Sequence, residues 1–161
     1  MKNLNKVAIL GTKAVINNDG NAITIPLEEM GMAVYGTLRK GDYNYDRFNL
    51  GEYYSMQGTD VIVGMSMQDL GFYPCIFLDD TSKKGITVEY YLPKSKDSLL
   101  VTSSIIGMES GAGYKTAAVE RAGKWYLLFY FEGPLAGFAE VENGDWVNWK
   151  ERKTKDNKGV V

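Results

Sequence analysis

Apolar residues along this chain come in short runs broken by glycine and polar turns, a spacing that favours strands over helices. "KVAIL" and "NAITIP" are brief β-branched runs either side of the turn-rich "NNDGN", which fits a hairpin in an N-terminal extension of residues 1–31. "GMAVYGTL" comes next as an apolar strand, and "RKGDYNYDRFNLGEYYSM" reads as a polar, aromatic loop with at most one irregular helix. "TDVIVGMSMQDL" alternates like a strand, "GFYPCIFLDD" is a turn and a strand, and "GITVEYYLP" is a strand closed by Pro93.

The best helix is "KDSLLVTSSIIGMES", with Asp97 or Ser98 as cap and Leu99, Leu100, Ile105, Ile106 and Met108 as apolar positions. Its Thr-Ser-Ser centre is poor helix material. "GAGYKTAAVERAGKWYLLFYFEG" gives two strands joined at Arg121–Lys124, and "GFAEVENGDWVNW" is expected to hold a last strand. Residues 32–150 form the expected domain, and 151–161 a polar tail without structure. Strands outnumber helices and do not alternate with them. The expected class is α+β, with a mixed or antiparallel, barrel-like sheet and one or two helices.

Composition narrows the chemistry. A net charge of -2 and a pI near 5.2 give no footprint for nucleic acid. The basic "KERKTKDNK" also carries acids and reads as solvated surface. No apolar run is long enough for a membrane span and no signal peptide is recognisable, so the expected location is the cytoplasm. There is one cysteine, Cys75, and no histidine, so Ser-His and Cys-His pairs are excluded and carboxylates, lysines or tyrosines must carry any proton transfer. Cys75, after Pro74 at a strand start, reads as a small buried hydrophobe. "DTSKKG" and "LEEM" lack a metal-ligand pattern, so no metal and no cofactor are expected.

One stretch stands out: "VYGTLRKGDYN", a strand running into Tyr35, Gly36, Thr37 and Leu38, then Arg39, Lys40, Gly41 and Asn44. It resembles the opening signature of the gamma-glutamylcyclotransferase-like superfamily, which includes gamma-glutamylamine cyclotransferases and AIG2-like proteins. Two later pieces occur in the same order. "DLGFYPCIF" is similar to the family's Gly-x-Tyr-Pro, matched by Gly71, Tyr73 and Pro74. "GMESGAGYKTAAV" is similar to the segment holding its catalytic glutamate and a tyrosine, which fall on Glu109 and Tyr114. Thr87 and Val88 stand where the family often has Gly-Glu before an aromatic, Ile106 where it has aspartate, and Thr116 where it has arginine.

The resemblance implies an intramolecular aminolysis that releases 5-oxoproline from a gamma-glutamyl amine or amino acid. Glu109 would act as base and then acid, and Tyr35, Gly36, Thr37, Leu38, Tyr73, Pro74 and Tyr114 would bind substrate. Arg39 and Lys40 either attract an anionic substrate or solvate their loop. Two other readings stay open: a non-catalytic small-molecule binding protein on the same fold, and an interaction protein that uses residues 1–31 for a partner or a homo-oligomer.

Overall fold

The structure, a computed structural model, describes residues 4–79 and 83–158; the first half of "DTSKKG" and the last three tail residues lie outside them. It is α+β. Eight strands form one mixed sheet, and three form a smaller one.

The main sheet begins with a three-stranded meander: β1 (Asn5–Leu10), β2 (Lys13–Asn18) and β3 (Asn21–Pro26). The "NNDGN" turn joins the second and third of these; "KAVINN" is a strand that the sequence pattern did not disclose. A 3-10 turn then leads to β4 (Gly31–Val34). Two short helices, α1 (Tyr43–Arg47) and α2 (Leu50–Tyr53), occupy the polar aromatic loop. β5 (Tyr54–Val63) and β6 (Met65–Asp69) divide "TDVIVGMSMQDL" at Gly64, whose φ of 88° lets the chain change sheets. β7 (Pro74–Leu78), β8 (Gly85–Pro93), α3 (Ser98–Gly111), β9 (Lys115–Arg121) and β10 (Lys124–Tyr130) come after them.

The main sheet runs β3-β2-β1-β9-β10-β4-β8-β5, with β4 parallel to β10 and the other pairs antiparallel. It stays open rather than closing into a barrel. All four residues of β4 are buried because both faces of the sheet are covered. Met32 and Val34 join a core with Ile16, Leu27, Met30, Ile105 and Leu127. Ala33 and Tyr35 face the other way, into a core with Met65, Met67, Ile76, Leu128 and Trp146.

Helix α3 covers the first face. Ile105 is fully buried, whereas Leu100 is 79% exposed and takes no part in the core. The polar centre of α3 has a use: the buried Thr102 hydroxyl hydrogen-bonds Tyr54 Oη. Asp97 precedes the helix, but its side chain makes no capping bond.

The C-terminal region departs from expectation. "GFAEVENGDWVNW" contains only a two-residue strand, β11 (Ala139–Glu140), before helix α4 (Trp146–Lys158). Residues 151–158 are therefore helix, not an unstructured tail. Asp145 caps α4: its Oδ1 accepts from the Asn148 N–H at 3.2 Å. The helix turns Trp146 inward until it is fully buried, and Trp149 Nε1 donates to Asp69 at 2.9 Å. Among the described residues four α-helices thus stand where one or two were expected, two of them of only four and five residues.

Candidate active site

β4 ends where its parallel neighbour β10 ends, and the chain turns there through Tyr35–Leu38. The turn is fixed by packing more than by backbone freedom. Gly36 does not adopt positive φ; instead a Cβ there would lie 2.7–2.8 Å from the Pro74 ring. Glycine is required because Pro74, at the start of β7, sits against the backbone.

Thr37 ties the corner to α1. Its carbonyl accepts from the N–H groups of Asn44 and Tyr45, both at 3.1 Å, and so anchors the start of that helix. Its hydroxyl accepts from Asn44 Nδ2 at 2.7 Å. By contrast, the N–H groups of Gly36, Thr37 and Leu38 meet no acceptor among the described residues. Three successive unpaired donors at a buried corner have the chemistry to receive an anion or a carbonyl oxygen. A fourth unsatisfied group lies beside them: Asn44 Oδ1 is buried with no hydrogen-bond partner.

These groups line a cavity of about 270 Å³. All eight residues expected at the site line it: Tyr35, Gly36, Thr37, Leu38, Tyr73, Pro74, Glu109 and Tyr114. Glu109 comes from the last turn of α3, which ends at Gly111. Its side chain is half-buried and makes no hydrogen bond or ion pair among the described residues. Burial alone pushes its carboxyl up to about 7. Ile106, one turn earlier, is partly buried and packs against the core.

The two tyrosines are walls rather than proton carriers. Tyr35 Oη donates to the Phe129 carbonyl at 2.5 Å, and Tyr114 Oη to the Pro74 carbonyl at 2.6 Å. Burial holds both phenols well above their ordinary value; the nearness of Tyr114 and then Glu109 adds to it at Tyr35, and that of Glu109 at Tyr114. Tyr114 also stacks on Phe131 at 4.4 Å, and Tyr73 tilts toward it at the partly exposed rim. Burial raises the Cys75 thiol to about 11, so it is a poor nucleophile. Among the described residues, no group of three metal-ligating side chains exists.

Arg39 corrects an expectation. It neither attracts substrate nor solvates its loop. It is buried, and its Nε and Nη1 donate to Glu89 and Asp145, each at 2.8 Å. Glu89 also accepts from the Lys40 N–H at 2.9 Å and from Tyr91 Oη at 2.8 Å. The carboxylate of the middle strand that meets the corner is thus Glu89, directly before Tyr90, and not residue 88. Strand alternation explains the offset: Val88 and Tyr90 pack into the second core, and Glu89 points to the opposite face.

Tyr43, Arg47, Ala112 and Phe129 also line the cavity, and the sequence alone did not single them out. Tyr43 and Arg47 lie one helical turn apart, a signal available only once α1 is recognised. Asn44 was visible in the motif, but nothing in the sequence told of its buried, unpaired oxygen.

Fold and cavity together define a small α+β domain in which an acid with no partner among the described residues lines the same cavity as a corner of unpaired backbone donors. The chain belongs to the family described as Gamma-glutamyl cyclotransferase, AIG2-like, whose model matches residues 32–148. Its fold is similar to that of an uncharacterized protein, PH0828, from Pyrococcus horikoshii (TM-score 0.61, 24% identity, 78% of this chain and 97% of that one). The protein ytfP from Escherichia coli is also similar (TM-score 0.57, 19% identity, 75% and 99%). So is part of Kluyveromyces lactis allophanate hydrolase (TM-score 0.59, 15% identity), where the match covers 78% of this chain and 21% of that one. No curated protein matches the chain. No helix among the described residues is long and apolar enough to cross a membrane.

Proposed function

We propose that this chain is a gamma-glutamylcyclotransferase-like enzyme that releases 5-oxoproline from a gamma-glutamyl amine or amino acid. One observation carries the reading: Glu109, raised to about 7 and without a partner, lines the same cavity as the unpaired N–H groups of Gly36, Thr37 and Leu38.

The substrate's α-amine attacks its own γ-carbonyl. A C–N bond forms to close the five-membered ring, and the bond to the departing nitrogen breaks. Glu109 takes a proton from the attacking amine and returns it to the leaving nitrogen, so no net proton or water is consumed. A carboxyl near 7 suits both duties at neutral pH better than one at its ordinary value. The corner N–H groups hold the α-carboxylate and main-chain polar atoms of the glutamyl group, and Asn44 Oδ1 accepts from its amine.

A non-catalytic binding protein is the second reading. It draws on Ile106 and Thr116, which replace the aspartate and arginine often present beside the glutamate and tyrosine. The test is chromatographic detection of 5-oxoproline from a broad gamma-glutamyl panel. Wild-type protein should release it, and Glu109→Gln should lose about 10²–10⁴-fold. A wild type that turns over none of the panel would overturn the enzymatic reading.

A further inference from the structure

We propose that the mouth of the cavity holds a subsite for the leaving group, and that Arg47 there selects a departing amine with a free carboxylate. The substrate class is then a gamma-glutamyl α-amino acid rather than a gamma-glutamyl alkylamine or polyamine. This rests on the cyclising reading above.

Depth orders the cavity. Gly36, Thr37 and Leu38 are buried, Glu109 is half-buried, and Tyr43 and Arg47 are exposed. A glutamyl group with its amino-acid end at the corner brings its γ-carbonyl to the level of Glu109. Whatever leaves from that carbonyl must lie farther out, among Tyr43, Arg47, Tyr73 and Met108.

Charge then decides what fits. Arg47 is the one cationic side chain among the lining residues, and no carboxylate lies within ion-pair distance of it among the described residues. Its neighbours are Met108 Sδ at 3.8 Å and the Phe48 ring at 5.1 Å, which place the guanidinium without neutralising it. Arg39 and Lys150, nearby, are already paired with carboxylates. A planar fork at the exit matches a carboxylate in a two-point contact and repels an ammonium. Tyr43 and Tyr73 offer aromatic surface to the departing residue's side chain.

A matched substrate pair isolates the effect. Gamma-glutamyl-L-alanine and gamma-glutamylethylamine differ only in the carboxylate of the leaving group. The ratio of their kcat/KM values for 5-oxoproline release is measured with wild type, Arg47→Ala and Arg47→Glu. Wild type should favour the alanine substrate by about tenfold or more, the strength of a hydrogen bond to a charged group. Arg47→Ala should bring the ratio near one, and Arg47→Glu should invert it. A wild-type ratio near one overturns the subsite. So does an Arg47→Ala variant that slows both substrates equally, the result expected if Arg47 holds the glutamyl group's own carboxylate.

If neither compound is turned over, thermal stabilisation by the same two compounds tests the subsite, and the broad gamma-glutamyl panel separately decides the cyclising reading. Stronger stabilisation by the alanine compound, lost in Arg47→Ala, supports it; equal or absent stabilisation overturns it.

Discussion

At the scale of single residues, the proposed role of Glu109 would link activity and stability through one protonation. As a base it must be ionised, so kcat/KM should rise with pH through about 7 and level off above. The stability effect has the opposite sign. The folded carboxyl is raised from 4.5 to about 7, so the native state holds a proton that the unfolded chain has released. Stability from this group therefore falls as pH rises from about 4.5 to 7. With partial exposure discounted, the loss is on the order of 1–3 kcal/mol. Glu109→Gln should raise Tm at pH 8 and leave it nearly unchanged at pH 4. A variant with the same Tm difference at both values would show that the carboxyl is not desolvated. Gly36 offers an independent probe. Gly36→Ala drives a methyl into the Pro74 ring and should cost about 1–3 kcal/mol in urea unfolding. Pairing it with Pro74→Ala should recover part of that loss, since the two sites share one contact.

At the scale of elements, the corner is held from behind by Arg39. Its partners come from β8 and from the cap of α4, so one guanidinium joins three segments. Arg39→Met leaves Glu89 buried without its cation and should cost about 3–5 kcal/mol; Arg39→Met with Glu89→Gln should cost less. Equal losses, measured by urea midpoint, would contradict the ion-pair account. Element by element, the sequence was uneven in what it disclosed. β8, β9 and β10 were readable because their apolar runs are unbroken, α3 from the apolar residues on either side of its polar centre, and Arg121–Lys124 because Ala122 and Gly123 take the left-handed conformations of a tight hairpin turn. Helix α4 was misread because Trp and Val favour strands in isolation. Its cue was Asp145 before Trp146, with Trp149 and Lys153 on the inward face. Glu109 and the corner were legible only as motif pieces. Their sharing of a cavity, Arg39's burial and the role of Glu89 depend on residues 50 to 106 positions apart, which no local pattern records.

At the scale of the whole molecule, the family match begins at residue 32, yet the preceding strands are built into its core. β1 extends the sheet along β9, and Ala14 and Ile16 are fully buried in the cluster that contains Met32 and Ile105. Removal of residues 1–26 should therefore lower Tm and expose apolar surface that binds a hydrophobic dye. An unchanged Tm would make the strands an independent attachment. The largest span in the site is the 106 residues between Arg39 and Asp145. During synthesis the corner motif emerges about a hundred residues before the carboxylate that braces it from behind. A nascent chain thus carries the Tyr35–Leu38 turn well before it can brace it, and the brace forms only once the segment that caps α4 has docked.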